Sequence, residues 1–287
     1  MRHLDLKSSS YTGWWLWLQT NIGLLQHYSL IIQLIRRDIA ARYRGSVLGV
    51  AWSLVTPLLL LAVFTWTFGT VFPSRWPQAP GAPTDAPSTA EFALILFAGL
   101  IIFNLFSEVV NRAPGLILAN PNYVKKVVFP LEILPVVAVG SALFNGGVSL
   151  VVLLGFMLVV LGNIPATSLL LALVVTPLAL LTLGFAWLLA SLGVYLRDIS
   201  QVVGTATIAL MFVTPIFYPA TALPEWVGGW LILNPLSLPV GQARDVLIFG
   251  RLPDFAALAI YFMAALAIAV LGFTWFRKTR RGFADVL

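Results

Sequence analysis

The chain has 287 residues, of which 60% are hydrophobic and only 10% charged, with a mean hydropathy of +0.94. A soluble domain carries about 25% charged residues, so the composition excludes a soluble enzyme or a nucleic-acid-binding module and reads as an all-α polytopic membrane protein. Cysteine is absent and the two histidines stand at positions 3 and 27, which leaves no disulfide, thiol or His/Cys metal chemistry to expect; the net charge of +6 acquires meaning only from its location.

Residues 1–45 read as an N-terminal segment with an interfacial helix. Trp14, Trp15 and Trp17 beside Tyr11 suit the headgroup layer. Residues 1–20 lack the apolar stretch and cleavage site of a secretory signal. On a helical wheel Tyr28, Ile31, Ile32, Ile35, Ile39 and Tyr43 fall within about 120° of one another, with Gln33, Arg36, Arg37 and Arg44 opposite. Arg42 falls inside the apolar arc, where it is expected to snorkel to phosphates or to pair with Asp38. The turn Gly45-Ser46-Val47-Leu48-Gly49 then redirects the chain into a first span over 46–72, free of charge.

A proline-rich loop over 73–91 cannot fold alone and reads as an irregular connection. Further spans are expected over 92–110, 131–161, 167–196, 199–218 and 254–276, giving six. The third is long enough to tilt, or to break near Asn145-Gly146-Gly147. Segment 111–130 is short and polar, with Arg112, Lys125 and Lys126 among prolines. Segment 219–253 contains an apolar stretch, Trp226 to Leu233, far too short to cross; a re-entrant or interfacial hairpin is expected there. Residues 277–287 form a basic tail.

Six spans put both termini on one side, which then holds 14 of the 17 Lys and Arg residues. The positive-inside rule makes that side cytoplasmic. Glu108 and Glu132 lie near span ends, where a carboxylate reaches water. No span carries a charge near its middle, which argues against an ion-coupled carrier. Val-Thr-Pro occurs at 55–57, 175–177 and 213–215 and reads as helix-bending chemistry.

The aromatic residues Trp52, Phe64, Trp66, Phe68 and Phe72 of the first span, with Phe212, Phe217 and Tyr218 of the fifth, have two readings. They pack against lipid and neighbouring helices, or they line a path along which sugar rings stack.

Leu34-Ile35-Arg36-Arg37-Asp38, Arg42-Tyr43-Arg44, Ser46-Val47-Leu48-Gly49, Trp52 and Pro57 resemble the opening of type-2 ABC exporter permeases that move lipid-linked polysaccharide. So do Asn120 to Pro135, Tyr195-Leu196-Arg197-Asp198-Ile199, Thr214-Pro215-Ile216-Phe217-Tyr218, Asn234-Pro235-Leu236 and Arg244-Asp245. Among subfamilies the likeness is strongest to O-antigen exporter permeases. The resemblance implies a subunit that is not itself an enzyme and binds no cofactor. It implies a homodimer with two cytoplasmic ATPase subunits that bind ATP and Mg, in the bacterial inner membrane, exporting undecaprenyl-pyrophosphate-linked polymer for lipopolysaccharide biosynthesis. The chain contains no G-x-x-x-x-G-K-[ST] phosphate loop. The resemblance also assigns ATPase docking to Arg36, Arg37, Asn120, Tyr123, Lys125 and Lys126, through a coupling helix in 111–130. It assigns the gate and the lipid-pyrophosphate contact to Arg42, Arg44, Gly45, Ser46 and Gly49. Capsular polysaccharide and teichoic acid are the alternative cargoes of the same mechanism. An integral membrane glycosyltransferase or acyltransferase needs converging acid, base or metal groups, and the acids here are scattered; a secondary transporter is the third class.

Overall fold

A computed structural model describes residues 27–67, 89–125, 129–219, 229, 231 and 233–286. The described residues form helices and turns without a strand. The helices, in order, are α1 (Tyr28–Arg42), α2 (Trp52–Trp66), α3 (Thr89–Arg112), α4 (Pro121–Lys125), α5 (Ile133–Val160), α6 (Leu171–Tyr195), α7 (Ile199–Val213), α8 (Ser237–Leu247), α9 (Phe255–Thr279) and α10 (Phe283–Val286). Five stretches are long and apolar enough to cross a bilayer: Gly49–Trp66, Ala90–Gly115, Ile133–Val160, Ala166–Tyr195 and Phe255–Val286.

The fifth expected span is shorter than its apolar sequence. α7 has 15 residues, about 22 Å at 1.5 Å per residue, against a hydrocarbon core of about 30 Å. Pro215 ends it: proline pushes the preceding residue out of the helical region, and Thr214 is extended at φ −73°, ψ 136°. The other two Val-Thr-Pro motifs place Pro57 and Pro177 inside helices. The expected weak point of the third span does not break, since α5 runs as one helix through Asn145-Gly146-Gly147.

α3 is the centre of the molecule. Ala93, Leu94, Phe97, Ile102 and Val109 are fully or almost fully buried, and α2, α5, α6, α7 and α8 all pack on this helix. The tightest pairing joins α6 to α9. There a Cβ on Gly184 would meet the Ala269 backbone at 2.8 Å, and Gly272 faces Gly184 in turn. Small residues let the two backbones touch, the usual way membrane helices gain packing energy without a hydrophobic drive. Trp187 locks the crossing, its ring 4.9 Å from that of Phe273 and its Nε1 donating to the Glu132 carbonyl at 3.0 Å.

Two faces result. One gathers α1, α4, the start of α5, the ends of α3, α6 and α9, and α10; with Arg36, Arg37, Arg42, Arg44, Arg112, Lys125 and Arg280 it is the basic face. The opposite face is closed by α8, part of the expected hairpin. α8 has 11 residues and buries Val240, Ala243, Val246 and Leu247. The rest of the hairpin around Trp226, the tryptophans at 14, 15 and 17 and most of the proline-rich loop lie outside the described residues.

Candidate functional site: an ion-paired basic face

α1 is held by a face that the apolar wheel only partly describes. Leu30 and Leu34 pack against the cluster of Ile117, Phe129, Leu131 and Leu134. Ile35 sits against Gly140 of α5 so closely that a Cβ there would overlap it. Asp38 lies on the same inner flank, half-buried, whereas Tyr28 and Ile32 point outward at 65% and 45% exposure. The arc chosen by hydrophobicity alone is therefore split between protein and surroundings, because the strongest tie on the inner flank is ionic.

That tie is Asp38 to Arg112, whose Nη2 donates to both carboxylate oxygens at 2.7 and 3.0 Å. Burial raises the Asp38 carboxyl, and the hydrogen bonds and charge of Arg112 outweigh it, leaving Asp38 below the ordinary carboxylate range. Arg42 does not pair with Asp38. Its Nη2 donates to Glu108 Oε1 of α3, since Asp38 is already engaged and α3 brings a second carboxylate within reach. Asn145 Nδ2 donates to both Glu108 oxygens at 3.1 Å, and Arg112 Nη1 lies 3.8 Å from Glu108. Two acids, two arginines and one amide thus join α1, α3 and α5.

Glu108, expected to reach water, is 21% exposed and at the same time binds Arg42 and Asn145. Glu132 departs further from that expectation. Its side chain is 7% exposed and paired with Arg280 at 2.6 Å, and Arg280 also donates to the Phe129 carbonyl at 3.3 Å. Ser191 and Thr279 hydroxyls meet at 2.7 Å, and the Tyr195 hydroxyl donates to the Thr279 carbonyl at 2.8 Å. The basic end of α9 is thereby bound to α5 and α6.

α4 is a short helix placed by Asn120, whose Nδ2 donates to the Leu116 carbonyl at 2.9 Å. Tyr123 stacks on Phe129 with ring centroids 4.4 Å apart, and its hydroxyl accepts from Arg37 Nη1 at 3.3 Å. Two residues assigned to docking are thus in contact across α1 and α4. Arg36 and Lys125 are exposed on the same face, and Lys126 lies outside the described residues.

The turn after α1 places glycine where only glycine is at ease, Gly45 at φ +83° and Gly49 at +53°. Ser46 and Arg44 are exposed, and Arg44 makes no side-chain bond to the described residues.

The profile for the ABC-2 type transporter family matches residues 29–248. The chain belongs to the ABC-2 type transporter family. Its relatives include the O-antigen export system permease protein RfbA of Klebsiella pneumoniae, 24% identical over 272 residues, covering 94% of this chain and 98% of the relative. The protein of the same name from Myxococcus xanthus is 28% identical over 267 residues, covering 91% and 96%. The polysialic acid transport protein KpsM of Escherichia coli is 25% identical over 251 residues, covering 85% and 91%.

The aromatic residues of this ABC-2 chain divide. Phe64 and Phe217 pack against the core cluster around α3. Trp52, Trp66 and Phe212 are 38%, 64% and 62% exposed. Tyr218 is half-buried, its hydroxyl donating to the Phe212 and Val213 carbonyls at 3.0 and 2.9 Å. Phe68 and Phe72 lie outside the described residues. Sequence reasoning also passed over Arg244 as a fixed point. It is 4% exposed, and its guanidinium donates to the Ile95, Pro215 and Ile216 carbonyls at 3.0, 2.7 and 2.5 Å. The signal was a lone arginine in a short segment too apolar to hold it unpaired.

Proposed function

We propose that this chain is the membrane subunit of an ATP-driven exporter that carries undecaprenyl-pyrophosphate-linked O-antigen polysaccharide across the bacterial inner membrane. It works as a homodimer with two separate ATPase subunits, its basic face in the cytoplasm. The supporting observation is the wiring of that face. An ATPase that moves α4 acts on α1 through Arg37 and Tyr123, α1 is ion-paired to α3 through Asp38, Arg112, Arg42 and Glu108, and Asn145 of α5 hydrogen-bonds to Glu108. A push at the surface therefore has a continuous set of side-chain contacts leading to the central helix. Nucleotide and Mg binding fall to the partner in this reading, which the lack of a phosphate loop in the sequence supports.

Docking falls to Arg36, Arg37, Asn120, Tyr123, Lys125 and Lys126. At the gate, Arg42 is neutralised by Glu108, so the contact to lipid pyrophosphate falls mainly to Arg44 beside Gly45, Ser46 and Gly49. Of the aromatic set, the exposed Trp52, Trp66 and Phe212 are the ones this reading assigns to sugar rings. Likeness to a polysialic acid transport protein keeps capsular polymer as the second reading of the cargo.

The test is purification with a candidate ATPase encoded beside it and reconstitution in vesicles. Polymer uptake that requires ATP supports the exporter. Uptake driven by an ion gradient without ATP, or product made by the chain alone, overturns it.

A further inference from the structure

α3 is the most buried of the long helices, yet it carries one exposed polar stripe. Asn104 and Asn111 are exposed and Ser107 half-buried, spaced so that they lie on one flank beside Glu108. Asn104 lies eight residues in from Arg112, about 12 Å deep at 1.5 Å per residue. Its carboxamide makes no hydrogen bond to any described residue. A carboxamide at that depth has to meet something polar.

Beside the flank, α7 adds a second exposed polar surface. Gly204 of α7 lies against Asn111, whose Oδ1 is 4.0 Å from where a Cβ on Gly204 would stand. Next to Gly204 on α7, Gln201 and Thr205 are exposed. Asn111 Nδ2 donates to the Ser107 carbonyl at 2.8 Å and Thr205 Oγ1 to the Gln201 carbonyl at 3.1 Å, which fixes both side chains while leaving each an acceptor oxygen.

Beyond Asn104 the same flank turns apolar and closed. Phe97, Leu100 and Ile101 are 2%, 5% and 7% exposed and belong to one packed cluster with Ile216, Leu236 and Val240. The exposed polar stripe therefore begins near the basic face, reaches mid-membrane at Asn104 and gives way there to packed apolar side chains.

We propose that Asn104, Ser107 and Asn111, with Gln201 and Thr205 opposite, are a hydroxyl-binding ladder for the sugar polymer, the inner half of its path. The inference rests on the export reading above. It adds a polar recognition surface to it, distinct from stacking on aromatic rings. Several acceptors and donors at successive helical turns match a chain of hydroxyls. A single glue contact to another helix needs only one such residue.

The experiment replaces the cell's own copy with Asn104→Leu, Asn104→Gln or Ser107→Ala. It measures surface polysaccharide per assembled complex, together with cross-linking between the two copies of the chain. Asn104→Leu is expected to cut export roughly fivefold, the scale of one lost hydrogen bond, with cross-linking unchanged. Asn104→Gln keeps the carboxamide and retains most of the export. Full export by Asn104→Leu overturns the ladder. Loss of cross-linking together with export also overturns it, because Asn104 then joins two protein helices. A wild-type copy that restores no surface polymer overturns the export reading itself, whatever the variants do.

Discussion

Arginine is used in opposite ways at the two ends of α3. At the basic end Arg42 and Arg112 are 31% and 33% exposed and meet carboxylates that could exchange partners. At the other end Arg244 is buried, and its guanidinium donates to backbone carbonyls from two segments, Ile95 of α3 and Pro215-Ile216 just after α7. A carboxylate pair can loosen when an element shifts, because each charge finds water or another partner nearby. A guanidinium caged by carbonyls has no alternative, so it fixes α8 and the end of α7 to the start of α3. On the proposed reading, charge pairing marks the region that transmits movement, and backbone caging the region that stays.

The largest effect is expected at the cage. Arg244→Met strands three buried carbonyls, each worth about 1 kcal/mol or more, so the accumulated protein should fall severalfold and its melting temperature in detergent should drop. Accumulation equal to wild type would remove the cage from the account. Next comes Glu108→Gln, which leaves Arg42 and Arg112 without their shared acid while keeping an acceptor for Asn145. ATP-driven export should fall by more than the melting temperature predicts, and an equal fall in both would make the cluster merely structural.

Asp38 and Arg112 separate pairing from packing. Asp38→Asn and Arg112→Met should each destabilise, and the double variant should cost less than their sum by about 1 kcal/mol; additivity would deny the pair. The Asp38 contribution also has a pH signature. Its native carboxyl lies below its ordinary value near 3.8, so its stabilisation is complete above the unfolded value and is lost as pH falls through the native one. Wild type and Asp38→Asn should keep a constant gap in stability from pH 8 to 5, and the gap should close only in stronger acid. A gap that changes between pH 5 and 8 would assign the titration elsewhere.

The smallest effects distinguish the aromatics. Phe64→Leu should lower stability by about 1 kcal/mol through lost core packing, and export only in proportion. Trp66→Leu should leave the melting temperature unchanged and reduce export severalfold, by loss of stacking of about 0.5 to 1.5 kcal/mol per ring. Equal behaviour of the two would end the division of the aromatic set.

The long helices were legible in the sequence because crossing a bilayer demands an unbroken apolar run, a requirement each segment meets by itself. The turn at Gly45 and Gly49 was legible for the same reason, since positive φ is a local property. α7 was misjudged at its end: hydropathy continues past Val213 to Tyr218, while Pro215 stops the helix. Partners of charged groups were not legible. Arg42 has Asp38 one turn away in the chain, yet it pairs with Glu108, 66 residues distant, because helix packing brings α3 to α1 and Asp38 is engaged by Arg112. Glu132 near a span end looked wet and is dry, since Arg280 arrives from the far end of the sequence. Periodicity along one helix determines which side chains are apolar and how far the helix runs. Which flank meets protein, and which charge meets which, depends on distances between segments, and those are decided only when the helices pack.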